Sequence, residues 1–423
     1  MSTQSVPSEL SRQLTLSDAV VVGLGSMIGA GVFVAFGPAA KASGIGLLIA
    51  LVIAAAIAYC NAVASAQLAA QYPVSGGTYV YGRERLNHWA GFIAGWGFVI
   101  GKTASCTAMA LTFATYAAPN SSTAQRWIAI AVVAALAALN YRGVTRTVQM
   151  TRILVTMTLI SLSLLVIGLL GSGNVDFGRL TDDASWSDLT LLGVLQAAGF
   201  LFFAFAGYAR IATMGEEVRA PATTIPKAIP IALFLTMAVY AIVAVVILGA
   251  AGPDAIAGSD APLVTAAEAG NADWMEPVLR IGAMFASMGA LLGLMAGIGR
   301  TTLAMARNND LPPFLAAVHP RFKVPHVAEV TLAAVVIAIL LVADIRGAIG
   351  FSSFGVLVYY SIANLSAWTQ EGEHRRWPRG LFVAGFLGCV VLAALLPIQS
   401  VLAGLAVYAV GVTIRLISLR VRS

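Results

Sequence analysis

Two glycine-interrupted apolar stretches and one lysine carry most of the chemistry open to this sequence. The first stretch contains Gly23-Leu24-Gly25-Ser26-Met27-Ile28-Gly29-Ala30-Gly31, and the second Phe202-Phe203-Ala204-Phe205-Ala206-Gly207-Tyr208. A helix broken in mid-course exposes N–H groups at the start of one half and carbonyls at the end of the other. The N–H end carries partial positive charge and suits a carboxylate, while the carbonyl end suits an ammonium. A small zwitterion offers both groups. Glycine at 29 and 31 would let it approach the backbone with no side chain intervening. Gly25-x-x-x-Gly29 is also a close-packing pattern between membrane helices, so the first break has a packing reading beside the binding one. A matching break five spans later favours binding, because paired interruptions point to a midplane site.

Lys102 is the third element. It falls near the centre of an apolar stretch over 89–118, and no Asp or Glu is expected at comparable depth. A charged lysine there costs about 2.5–3.5 kcal/mol on insertion scales, so its presence predicts a role. Ser105 and Cys106 share its helix face at i+3 and i+4. An amine at that depth can carry a coupling proton, or it can hydrogen-bond carbonyls freed by an unwound helix and simply hold the fold.

These groups need helices to position them, and the composition supplies helices. Of 423 residues, 59% are hydrophobic and 10% are charged, a balance that leaves a soluble domain without a charged surface. Apolar stretches near the roughly 20 residues that cross a hydrocarbon core recur throughout. They predict twelve spans, at 17–37, 44–70, 89–118, 126–139, 150–171, 189–212, 227–251, 277–304, 327–343, 347–367, 380–396 and 399–417. With the N-terminus inside, one side takes most of the 25 Lys and Arg, and the other takes Lys41, Arg126, Arg179, Arg280 and Arg346. That asymmetry predicts cytoplasmic termini. The basic residues form no domain-sized face, so nucleic acid is not an expected partner. Cys60, Cys106 and Cys389 fall inside apolar spans and read as small buried hydrophobes. The acidic residues of 172–188 and 252–276 read as solvated loops.

Four blocks resemble the amino acid–polyamine–organocation (APC) superfamily, and the likeness runs through nearly the whole chain. They are Gly25 to Phe33; Tyr72-Pro73-Val74-Ser75-Gly76-Gly77-Thr78-Tyr79-Val80-Tyr81 leading to Gly95-Trp96; Phe202 to Ala206 continuing through Glu216-Glu217-Val218-Arg219-Ala220-Pro221 to Ile225-Pro226; and Ala304-Met305-Ala306-Arg307 with Leu311-Pro312-Pro313 and His319-Pro320-Arg321-Phe322. The resemblance implies an all-α integral membrane fold of the leucine-transporter type. After a cytoplasmic tail (1–16), a ten-helix core (17–367) would form two inverted five-helix repeats. Two further helices and a cytoplasmic C-terminal tail (368–423) would follow. It also implies an amino-acid substrate, its carboxylate meeting the amides of Gly29, Ala30 and Gly31 with Ser26 nearby. Its ammonium would meet the carbonyls of Ile28, Phe203 and Ala206, beside Gly207. Phe203 falls where relatives often place an aromatic gate, and ordinary core packing explains it equally well. Two positions depart from the pattern: Ala209, followed by Arg210, stands where many relatives carry a carboxylate, and Thr158 where some carry a lysine.

The expected function is secondary active transport of a neutral L-amino acid by alternating access at the cytoplasmic membrane, proton-coupled as symport through Lys102. Arg210 would act as a gating residue paired with Glu216 or Glu217. An uncoupled exchanger, or a carrier of acidic or cationic amino acids or polyamines, is the alternative. A channel would need a polar stripe or charged ring that the spans lack. An enzyme would need a catalytic constellation, yet the four histidines fall at loops. No G-x-x-x-x-G-K-[ST] phosphate loop is present for a nucleotide-driven pump. No metal or cofactor is expected, and the chain is read as a monomer or homodimer.

Overall fold

Backbone groups in lipid find partners only within the protein, and the computed structural model of this chain is accordingly helical. The structure describes residues 14–73, 76–142, 148–181, 186–187, 189–212, 214 and 217–420. Among these no β-strand occurs, and the one extended pairing is an isolated parallel bridge between Leu14 and Val218. The helices are α1 (Leu16–Met27), α2 (Ala30–Val34), α3 (Phe36–Ser43), α4 (Leu47–Gln71), α5 (Thr78–Arg85), α6 (His88–Ala117), α7 (Ser122–Tyr141), α8 (Val148–Ser172), α9 (Leu191–Phe205), α10 (Ala209–Ala212), α11 (Pro221–Gly258), α12 (Pro262–Ala269), α13 (Glu276–Arg307), α14 (His326–Leu340), α15 (Ile345–Trp368), α16 (Arg379–Leu395) and α17 (Ile398–Arg420).

Among the described residues ten helical segments are long and apolar enough to cross a bilayer, and α14 and α16 are apolar but shorter. The chain is therefore a multi-pass membrane protein. The expected spans 327–343 and 380–396 correspond to the two shorter helices. Two connections read as loops also hold helices: α5 lies within 71–88 and α12 within 252–276.

α1 starts where Thr15 caps it: the Thr15 amide donates to Asp18 Oδ2 (2.9 Å) and the Asp18 amide returns a bond to Thr15 Oγ1 (3.4 Å). This reciprocal capping fixes the entry of the first span. Asp18 also accepts from Arg152 at 2.5 Å, tying α1 to α8. The helix ends at Met27. Ile28 (ψ 57°) and Gly29 (φ −105°, ψ −138°) leave the helical region before α2 resumes. α9 ends at Phe205, and a tighter turn over Ala206–Tyr208 separates it from α10. The two breaks pack against each other. Beside them runs α6, the most enclosed of the ten long segments, wedged along α13 and α15. Lys102 is thereby carried into the interior, away from lipid.

Candidate functional site

A cavity of about 460 Å³ opens between α1, α6, the α9–α10 break and α13. Its wall includes Ser26 and Val22 from α1, Phe98, Lys102, Ser105 and Met109 from α6, and Phe203, Ala206, Gly207, Ala209 and Arg210 from the second break. It continues past Met214 to Glu217 and Arg300, where the side chains become solvent-accessible. The other end is closed. Tyr116 packs edge-on against Phe33 and donates to its carbonyl (2.9 Å). The Tyr240 hydroxyl lies 2.6 Å from Met27 O and 3.1 Å from Ala204 O, bridging the two interrupted spans. Among the described residues the cavity thus opens towards one face only.

Ser26, Phe203, Ala206 and Gly207 line this space together with Lys102 and Arg210. Ile28, Gly29, Ala30 and Gly31 are buried beside it and do not line it. A Cβ at Gly29 would stand 2.9 Å from Ala290 Cβ, and one at Gly31 2.7 Å from Ala204 Cα and Cβ. Both lie well inside ordinary contact distance, so these glycines let α2 lie directly against α9 and α13. The close packing read beside the binding role for the first break is therefore present at both glycines.

Lys102 Nζ donates to Ala206 O at 3.2 Å, and the Tyr360 hydroxyl donates to the same oxygen at 3.3 Å. The lysine is 5% exposed. The hydrogen bond to a freed carbonyl, one of the two roles read for Lys102, is therefore present. Among the described residues it has no carboxylate within salt-bridge distance. Ser105 also lines the cavity, and its hydroxyl lies 2.6 Å from that of Ser352. Cys106 is buried.

At the open end, Glu217 Oε1 lies 3.5 Å from Arg210 Nη2 and 3.5 Å from Arg300 Nη1. Of the two glutamates expected to pair with Arg210, Glu217 does so, and Glu216 lies outside the described residues. Thr158 is buried and donates back to Leu154 O in its own helix (2.8 Å).

A second polar centre was not anticipated. Asp310, 5% exposed, pairs with Arg83 (2.9 Å) and Arg415 (2.9 Å) and accepts from the Tyr79 hydroxyl (2.8 Å). Burial, followed by that bond to the carboxylate, pushes the Tyr79 phenol well above its usual pKa. Its residues come from three distant stretches, and only the Tyr79 and Arg307 blocks hinted at them. Tyr240 and Tyr360 were also missed, since neither adjoins a motif. Among the described residues no three His, Cys, Asp or Glu are grouped to hold a metal ion.

Residues 14–414 match the family model described as amino acid permease. The chain belongs to the amino acid permease family. Across its length it is 56% identical over 409 residues to a protein of Mycobacterium tuberculosis (strain ATCC 25618 / H37Rv) named as an uncharacterized transporter, covering 97% of this chain and 92% of that one. It is 28% identical over 340 residues to the branched-chain amino acid permease of Bacillus subtilis (strain 168), covering 75% and 72%. It is 26% identical over 406 residues to cationic amino acid transporter 7, chloroplastic, of Arabidopsis thaliana, covering 89% and 69%. This amino acid permease is accordingly a transporter rather than an enzyme, and its cargo is a small molecule.

Proposed function

We propose that this permease carries a neutral L-amino acid across the cytoplasmic membrane by alternating access, in symport with protons. In this reading both termini are cytoplasmic. The core over 17–367 works as two inverted five-helix repeats, and the two C-terminal helices stand outside them. The observation that carries the proposal is the cavity in which the two helix breaks meet a buried lysine, with Lys102 Nζ on the Ala206 carbonyl. Closed behind Phe33 and Tyr116 and open at Arg300, it has the form of one half of an alternating-access cycle.

Charge supports the neutral substrate. Among the described residues, Lys102, Arg210 and Arg300 line the cavity against the carboxylate of Glu217, so a cationic side chain would meet fixed charge of its own sign. Phe98, Met109, Phe203 and Leu292 offer an apolar wall for the side chain. The branched-chain permease among the relatives fits the same class. Lys102 supports proton coupling because its amine is buried at the second break, within hydrogen-bond reach of Ala206 O. Uptake of a panel of labelled amino acids into proteoliposomes, with and without an imposed pH gradient, tests the proposal. The expected result is accumulation of neutral amino acids that collapses when the gradient is dissipated. Uptake indifferent to the gradient would leave an exchanger, and uptake of no amino acid would remove the reading.

A further inference from the structure

We infer that Glu329 is a proton-binding site at the mouth of the cavity, and that its proton decides which carboxylate holds Arg300. The inference goes beyond the transport reading, because it concerns the mouth and holds whatever small molecule the cavity carries.

Glu329 is in the first turn of α14 and is 3% exposed. Its Oε2 is buried without a hydrogen-bond partner among the described residues. Gly299 of α13 admits the side chain: a Cβ there would stand 3.0 Å from Glu329 Cγ and 3.5 Å from its Oε1. The carboxyl therefore lies along α13 at the residue before Arg300. The Arg300 guanidinium lines the cavity and shares Glu217 with Arg210. The main elements packed on α14 are α6, α7, α13 and the turn over Pro313–Ala316. α13 brings Arg300 and, at its end, the exposed Arg307. α7 brings Tyr141, whose ring meets that of His326 at 5.8 Å. α6 carries His88 and Lys102, the turn carries no charge, and His319, Arg321 and Lys323 precede the helix. Among the described residues, Arg300 is the one whose charge acts on Glu329.

A carboxyl so enclosed has two states open to it: neutral with a proton, or an anion that needs a cation. With the proton on, Glu329 makes no demand on Arg300. The arginine then stays 3.5 Å from Glu217, as the structure has it, and joins α13 to the segment beyond α10. With the proton off, Glu329 competes with Glu217 for the same guanidinium. An arginine drawn towards α14 lets go of Glu217, and the join at the mouth is lost. Low pH therefore keeps Arg300 on Glu217 and the mouth narrow, while rising pH transfers it to Glu329 and widens access to the cavity wall.

The test reads the mouth through Thr301→Cys, which places a thiol on the cavity wall next to Arg300. A polar maleimide labels the purified full-length protein from about pH 5.5 to about pH 8.5, and each rate is divided by that of glutathione at the same pH to remove thiol ionisation. With Glu329 present, the relative rate should rise at least about threefold with pH. Glu329→Gln, which mimics the protonated carboxyl, should hold the low-pH rate throughout, and Glu329→Asp should keep a rise. Glu217→Gln releases Arg300 at every pH and should show the high rate throughout. No rise in the parent, the same rise in Glu329→Gln, or flat profiles in both Glu329→Gln and Glu329→Asp overturns the inference. Where Glu329→Gln is not monodisperse, Glu217→Gln decides, and a rise that persists in it overturns the handover. A wild type that takes up no amino acid in proteoliposomes removes the transport reading and leaves this one standing, since labelling reports the mouth and not the cargo.

Discussion

Gly207 sits on the backbone of Ser26 so closely that a Cβ added at Gly207 would fall onto the Ser26 carbonyl and the Met27 amide nitrogen. The two interrupted spans therefore touch main chain to main chain at the point where each leaves the helix. Only a residue without a side chain allows it. The neighbour is backbone, which cannot swing aside as a side-chain end can.

Gly207→Ala should consequently force the two breaks apart. Overpacking of this kind costs about 1–3 kcal/mol, and the displaced atoms are those that line the cavity. The expected outcome is a protein that inserts, melts a few degrees lower, and transports at less than a tenth of the wild-type rate. Thermal melting and proteoliposome uptake measure the two effects. Wild-type behaviour in both would mean that the breaks part freely.

Charge in the cavity makes a second prediction, about competitors. A cationic side chain held about 4 Å from a fixed cation at an effective dielectric near 20 loses on the order of 4 kcal/mol, roughly a thousandfold in affinity. Unlabelled arginine and lysine should not inhibit uptake at concentrations where leucine, alanine or methionine abolish it. Strong inhibition by arginine with none by the neutral amino acids would reverse the substrate reading. Selective inhibition by glutamate or aspartate would show that the excess cations receive a second carboxylate.

Accessibility follows from the one-sided opening. Cys60, Cys106 and Cys389 are buried, so native thiols contribute little background to labelling. Thr301, on the cavity wall one residue beyond Arg300, should react as Thr301→Cys with a membrane-impermeant maleimide from the cytoplasmic face and not from the outer face. Substrate should slow the reaction. A matching Tyr116→Cys, behind the closed end, should stay unlabelled from the cytoplasmic face. Equal labelling of Thr301→Cys from both faces would contradict alternating access at this cavity.

The membrane spans were legible because lipid imposes a simple rule, that a long apolar stretch must be helical. The breaks were legible for a related reason: glycines grouped inside such a stretch are costly to the helix and need a cause. The function of each glycine was not. A Cβ at Gly29 would meet Ala290 and one at Gly31 would meet Ala204, and both partners are far away in sequence. Lys102 stood out because an ionisable group at that depth is expensive, yet its partner is a main-chain oxygen, and main-chain oxygens carry no sequence signal. The pairing of Asp310 with Arg83 and Arg415 was hidden for the opposite reason. Charges near span ends are common, and nothing local tells a solvated one from a buried one.

That last cluster yields the most discriminating stability experiment. Arg415 enters from α17, near the C-terminal end of the chain. Its guanidinium lies over the rings of Trp89 (4.4 Å) and Phe92 (4.6 Å), donates to His88 O (3.0 Å) and pairs with Asp310 (2.9 Å). Asp310 also holds Arg83 and Tyr79. Asp310 thus fastens α17 to α5, while Arg415 itself holds α17 to the start of α6. Removing a single partner from a buried pair leaves the other charge uncompensated and costs about 3–5 kcal/mol, whereas replacing both by apolar groups is often close to neutral. Asp310→Asn should therefore lower the melting temperature by several degrees, because it strands Arg415 and Arg83 together. Arg415→Met alone should cost less, since Asp310 keeps Arg83. The double variant Asp310→Asn with Arg415→Met should melt above Asp310→Asn, as one of the two stranded cations is gone. Thermal melting of the four proteins gives the coupling directly. Additive losses, with the double variant lowest, would mean that Asp310 and Arg415 act independently and that α17 is held by its lipid-facing packing instead.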